Sequence, residues 1–418
     1  MKAVSAIVLP AESQRAVLGL NPWPTGPILV VTATCFNVLL CFINTKHWVT
    51  VGAPHIVAIS IALLAAGVVT VRQQIDAALL GPAVLVVLVV AGLKLINPQL
   101  DLKILFDLAI APVFYLLGRQ STVQAAERML AVLMVIIIAI GLVELYLVDL
   151  FQQQLDILGF YTSKGTVSAN AINYSGTTFF GSAERGGDAG RTLLPFLFSN
   201  HRISSIFLEP ISLGNFSLAC LAWLLCVRQR WTATHAFLAF GTGLCIVLPD
   251  SRQAAATSII MVLARWVPWP RSRQFAVALP LTVLGALVVL GMITHGPFED
   301  IGITSDDFRG RLVFSAELLA SFDWAEWFAV APSEIYTADT GYAYLVNGIG
   351  LPLILLLATR FASAGRDEGP ATAMRGVFAI YIATSLCIGA SFFSIKTAAL
   401  FWFLFGVTQA IRPNRPHA

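Results

Sequence analysis

Apolar residues in this chain come in runs too long for a soluble core. Twelve stretches follow one another, approximately Ile28–Thr45, Pro54–Val71, Ala77–Ile96, Asp101–Leu117, Met129–Phe151, Ile206–Val227, Thr232–Leu248, Gln253–Val267, Phe275–Thr294, Tyr342–Thr359, Met374–Phe393 and Lys396–Ile411. A hydrocarbon layer about 30 Å thick takes roughly 17–25 apolar residues per helix at about 1.5 Å rise each. The eighth and twelfth runs are short, and their longer neighbours place them in the same bundle. Open sheet edges are excluded from lipid, so helices are expected throughout. The expected fold is an all-α integral membrane protein. It is a single polytopic domain over residues 1–418, a bundle of about 12 transmembrane helices. Two long polar intervals, residues 152–205 and 295–341, form its extracytoplasmic loops.

Composition agrees: hydrophobic residues make up 57% and charged residues 12% of the chain, against roughly 45–50% and about 25% in soluble domains. The distribution of Lys and Arg sets the orientation. With the N-terminus inside, fifteen fall in inner segments and five (Lys46, Lys94, Lys103, Arg252 and Lys396) in short outer loops. Both termini are therefore expected in the cytoplasm and both long loops outside. The stretch Ala3–Leu9 is too short for the apolar core of a cleavable signal peptide and runs into Glu12, Gln14 and Arg15. All six cysteines lie inside predicted helices and read as small packing residues. No His or Cys pair has ligand spacing, so no metal and no cofactor is expected. Nothing in the charge pattern points to nucleic acid.

The first long loop opens amphipathically, becomes Gly/Ser/Thr/Asn-rich from Ser163 to Gly190, and ends in Arg191, His201 and the run RISSIFLEPISLGNF (Arg202–Phe216). Pro210 suits the first turn of a helix and Glu209 the position just ahead of it, near the positive end of the helix dipole. Glu209 then reads either as a helix cap or as a carboxylate held at the outer mouth of the sixth helix, beside Arg202 and Asn215. The second loop carries nine carboxylates against Arg309 and Arg311. Within it, FRGRLVFSAELLASFDWAEWF (Phe308–Phe328) has Leu312, Ser315, Leu319 and Phe322 at helical spacing, which predicts a helix along the membrane surface with Trp324 and Trp327 at headgroup level. Charge in hydrocarbon costs at least ~2.5–3.5 kcal/mol at the centre of a helix. Asp107 and Glu144 nevertheless fall in the outer halves of the fourth and fifth runs, and Arg252 at the mouth of the eighth. They suggest a polar cavity open to the exterior.

These segments resemble one family. Arg202–Phe216 is similar to the "R…F.EP…G.F" signature of O-antigen and exopolysaccharide polymerases, and DSRQAAATS from Asp250 to their "SR" turn before an apolar helix. FRGRLVFSAELL resembles the arginine-bearing segment of their second outer loop. DTGYAYLVNGIGLPLILLL, from Asp339, resembles the "D.GY…GL.G" start of the next helix. The order and two-loop topology match the O-antigen polymerase/ligase family over about Phe151 to Leu357. Where the ligase branch carries a histidine, this chain has Asp339, the polymerase pattern.

The resemblance implies a bacterial inner-membrane glycosyltransferase that joins polyprenyl-pyrophosphate-linked oligosaccharide repeat units at the outer leaflet, with a flippase and a chain-length regulator as pathway partners and membrane lipid around it. Arginine binds pyrophosphate oxygens bidentately and stays charged, which makes Arg191, Arg202, Arg252, Arg309 and Arg311 the expected leaving-group ligands. A carboxylate can accept the proton of the acceptor hydroxyl, and Asp339 and Glu209 both qualify. Asp107, Glu144, His201, Asn215 and Tyr342 complete the set of expected cavity residues. The competing readings are a ligase-like glycan transferase and a 12-helix transporter or flippase of lipid-linked oligosaccharide.

Overall fold

In the computed structural model, residues 25–75, 77–166, 192–196, 198, 201–227, 231–268, 271–294, 308–335, 337, 340–365 and 367–411 are described. Each apolar run is helical: α1 (Thr25–Thr45), α2 (Ala53–Val71), α3 (Ala77–Ile96), α4 (Lys103–Arg119), α5 (Val123–Tyr146), then, after two short loop helices α6 (Val148–Gln154) and α7 (Ile157–Ser163), α8 (Pro210–Cys226), α9 (Ala233–Val247), α10 (Arg252–Ala264) and α11 (Arg273–Thr294). Two loop helices, α12 (Phe308–Ser321) and α13 (Trp324–Trp327), precede α14 (Gly341–Ser363), α15 (Pro370–Ser385) and α16 (Ile395–Ala410). There is no β-strand among the described residues. Among the described residues five helices are long and apolar enough to cross a bilayer: Thr25–Thr45, Ala53–Gln74, Val123–Tyr146, Arg273–Thr294 and Gly341–Ser363. Five further apolar helices are shorter. This is the build of a helical membrane protein.

Caps fix several helix starts. α5 begins at Val123, ahead of the expected Met129, because the Thr122 hydroxyl accepts the Ala125 N–H at 3.2 Å. The Ser251 hydroxyl accepts from Ala254 at 3.2 Å and opens α10. α5 stops at Tyr146, and the rest of the fifth apolar run becomes α6, because Leu147 leaves helical geometry (φ −126°, ψ 52°).

α16 is apolar on all sides and is buried along nearly its whole length, the expected fate of a helix without a polar face. It packs most extensively on α4 and also meets α1, α8 and α15. The α4–α16 crossing depends on two glycines. A Cβ at Gly118 would collide with the Phe403 carbonyl, and one at Gly406 with the Tyr115 carbonyl. Small residues let membrane helices approach this closely. On the opposite face of α16, Phe401 stacks on Tyr381 (3.8 Å) and Phe378 (5.2 Å) of α15.

Two elements depart from the sequence reading. α12 does not lie freely on the membrane surface. It packs on α11 and α14, burying Phe314, Ala316, Leu318 and Leu319, and Gly291 of α11 admits the Ala316 carbonyl. The predicted apolar face exists, but protein covers it. α14 is broken at Gly350 (φ 75°, ψ 153°), ahead of Pro352. The Phe328 carbonyl approaches that break, and Asn347 ties the adjoining loop by donating to the Ala331 carbonyl (3.0 Å) and accepting from Ser333 N–H (3.3 Å). Irregular backbone within a membrane helix is tolerated where protein buries it, as it does Gly350.

Candidate functional site

Where α8 begins, the backbone is unusually constrained. Ser205 and Leu208 both adopt positive φ (51° and 62°), a conformation costing a side chain-bearing residue roughly 1–2 kcal/mol. Glu144 over-determines the segment. Its wholly buried carboxylate accepts the Ser204 and Ser205 N–H groups at 3.0 and 2.6 Å and the Ser204 hydroxyl at 3.0 Å, with His201 Nε2 at 3.1 Å. Glu144 and His201 therefore pin the end of the first long loop to α5, and the carboxylate is fully buried there. The pinned segment delivers Glu209 to the N-terminus of α8, with Pro210 in the first turn as expected.

The Glu209 side chain, 32% exposed, meets Lys396 of α16 at 2.8 Å. The same lysine donates to the Phe207 carbonyl (3.1 Å), while the Ser212 hydroxyl (2.9 Å) and the Tyr161 phenol of α7 (2.5 Å) both donate to Glu209. Lys164 lies over the Tyr161 ring at 5.2 Å. Burial pushes the Tyr161 phenol well up, and the neighbouring Glu209 charge adds to that. Burial lowers Lys164; Glu209 opposes the shift, and Lys396 and Lys103 reinforce it. Those mutual fields bring a second group into the cluster. Lys103 pairs with Asp107 at 2.6 Å and stands over the Tyr344 ring at 5.5 Å, and the Tyr344 hydroxyl donates to Asp107 at 2.8 Å. Two neighbouring groups result, Lys396, Tyr161, Lys164 and Glu209 around the start of α8 and Lys103, Asp107 and Tyr344 between α4 and α14, close enough for Lys103 to act on Lys164.

Asp107 also lines a cavity of about 640 Å³ bounded by α3, α4, α11, α14, α15 and α16. Its walls are almost wholly apolar, with Pro82, Val86, Leu108, Val113, Ile349 and Trp402 among them. The cavity beside Asp107 is an apolar trench with that carboxylate at its polar end, and much of the two long loops expected to fold into a polar cavity lies outside the described residues. Asp107 stands beside the trench, whereas Glu144 is sealed by the end of the first loop.

The arginines are distributed differently. Arg202, buried, donates from Nε to the Pro249 carbonyl at 2.9 Å, and Arg252 donates from Nε to the Thr192 hydroxyl at 2.6 Å. Between them Asp250, at φ 47°, accepts the Thr192 and Leu193 N–H groups at 3.1 and 2.7 Å. Arg202 and Arg252 therefore flank one turn, onto which the end of the first long loop folds. Arg309 and Arg311 belong to α12, with Arg309 exposed. Asn215 donates to the Ser391 hydroxyl at 2.9 Å, and the buried Tyr342 donates to the Pro280 carbonyl at 2.9 Å while lining the trench. Asp339 and Arg191 lie outside the described residues, as does the stretch before Thr25.

Sequence reading missed Lys103, Lys164, Lys396, Tyr161 and Tyr344. One signal was present: a lone lysine opening an apolar helix, as Lys396 does, requires an acid to accompany it into the bundle. Among the described residues no group of three His, Cys, Asp or Glu side chains could hold a metal. No family model matches the sequence, and no curated protein or solved structure matches the chain.

Proposed function

We propose that this chain is a polysaccharide polymerase, a glycosyltransferase that joins polyprenyl-pyrophosphate-linked oligosaccharides at the outer face of a bacterial inner membrane. The observation that carries the reading is the junction at Asp107, where an apolar trench meets a cluster rich in lysine. That juxtaposition suits a lipid phosphate, whose tail needs hydrocarbon walls and whose charge needs fixed cations. In the reaction, the acceptor hydroxyl oxygen attacks the anomeric carbon of the donor. The bond from that carbon to the pyrophosphate oxygen breaks, the hydroxyl proton passes to a carboxylate, and pyrophosphate leaves on its lipid. Lys103 and Lys164 would stabilise the leaving charge. The oxygens of Glu209 already accept bonds from Lys396, Tyr161 and Ser212. In this conformation Glu209 orients Lys396 and Tyr161, which leaves Asp339 as the stronger candidate base. Arg202 and Arg252, on the neighbouring turn, would contact the sugar chain or its pyrophosphate.

The accompanying topology has twelve spans, cytoplasmic termini and both long loops outside. It is supported by α2, α4 and α14 ending together, with Gln74, Arg119 and Arg360 at one end of the trench and Asp107 at the other. Reporter fusions after Thr177 and after Ser305 are expected to behave as exported, and one after Arg271 as cytoplasmic. Cytoplasmic behaviour at the first two sites would remove the outer-leaflet reaction.

Purified protein given only a polyprenyl-pyrophosphate-linked repeat unit should build a ladder of longer products without nucleotide sugar or ATP, since the donor already carries its leaving group. The paired variant Lys103→Gln/Lys164→Gln should slow elongation at least tenfold. A second reading, a flippase for the same lipid, draws on the broken helix α14, a feature transporters use at their binding sites. Movement of the intact unit across a bilayer with no new glycosidic bond would select the flippase and reject the polymerase.

A further inference from the structure

The other end of the trench has a different chemistry. α3 stands off the bundle, and among its described residues only Val86 and Val90 are buried. The space between α3 and the α4–α14 wall is therefore reachable sideways from the surrounding lipid. From Leu105 to Arg119, the α4 residues lining it span about 21 Å at 1.5 Å per residue. At the far end Arg119 closes α4 and Arg360 stands in the last turn of α14, both exposed and both on the lip of the trench. Neither has an ion-pair partner among the described residues; Arg119 only overlies the Tyr115 ring at 6.0 Å.

Arginine at a membrane helix end ordinarily reaches for water. Two of them on one lip, above walls formed by Val113, Leu116, Ile354 and Leu357, make a site that is positive at its mouth and hydrocarbon-like behind it. Basic pockets between membrane helices bind anionic lipid headgroups. Guanidinium forks match phosphate oxygens, and a zwitterionic headgroup would bring its own cation against them.

We propose that the trench binds an anionic phospholipid, with its phosphate held by Arg119 and Arg360 and one acyl chain lying between α3 and the α4–α14 wall. The trench holds one chain at a time, so this phospholipid and a lipid-linked substrate exclude one another. Only that last consequence rests on the glycan reading.

The test is native mass spectrometry of the full chain in detergent, offered equal amounts of phosphatidylglycerol and phosphatidylcholine with no polyprenyl substrate present. Wild type should retain phosphatidylglycerol at least tenfold over phosphatidylcholine, and excess inorganic phosphate should not displace it. The variant Arg119→Gln/Arg360→Gln should fall to near parity. Ala358→Trp, which fills the trench and keeps both arginines, should retain neither lipid. Parity in wild type, displacement by inorganic phosphate, an unchanged ratio in the double arginine variant or undiminished retention in Ala358→Trp would each overturn the proposal. Because no donor is present, none of these outcomes bears on whether the protein polymerises glycans.

Discussion

Replacing Lys396 by methionine is expected to destabilise the protein by about 3 kcal/mol, because it leaves the Glu209 carboxylate without its cation where α7, α8 and α16 converge. The lysine is almost fully buried (5%) and the glutamate one-third exposed (32%), so the cost falls at the lower end for breaking a buried pair. Adding Glu209→Gln should recover most of that stability. The amide removes the uncompensated charge, and its oxygen can still accept from Tyr161 or Ser212. On the proposed polymerase reading, polymer formation should not return in the double variant, since the ammonium is part of the cationic cluster. Denaturant unfolding of the two single variants and the double, with elongation assayed alongside, separates the effects. A double variant no more stable than Lys396→Met would show that the pair is not coupled as described.

Gly406→Leu should part the α4–α16 crossing. A side chain there meets the Tyr115 carbonyl, an atom of the α4 backbone that cannot rotate away, so the two helices must part along their most extensive contact. Overpacking against flexible side chains costs about 1–3 kcal/mol, and a backbone obstruction should exceed that range. The variant is expected to lose its monodisperse peak in detergent. Gly243→Leu is the matched control, because nothing lies within 4 Å of a Cβ at Gly243. Equal behaviour of the two variants would mean that the α4–α16 crossing is not as close as the structure has it.

The positions of the helices were legible in the chain because each run of apolar residues is itself the signal: in lipid the backbone must satisfy its own hydrogen bonds locally. The start of α8 was legible for a similar reason, since Glu209-Pro210 is a local instruction for entering a helix. Boundaries moved where local geometry intervened, as when Thr122 extended α5 at its start and Leu147 cut it short at its end. The apolar face of α12 was also visible, but whether lipid or protein would cover it was not. An amphipathic pattern records that a face avoids water and says nothing of what shields it.

The site was decided by tertiary structure. Glu144 and Asp107 look alike in sequence, as acids in the outer halves of adjacent helices. The fold gives one to the Ser204–Ser205 backbone and the other to Lys103 and Tyr344 beside a trench. The sequence marked arginines for their chemistry. Packing instead brought Lys103, Lys164 and Lys396, which stand far apart along the chain, within one another's fields, because α4 and α16 run side by side while α7, packed on α1, carries Tyr161 to Glu209. By itself the sequence determined where backbone enters helix and where charge must be accompanied. Which charges meet depends on contacts between distant segments, and those became fixed only when the helices packed.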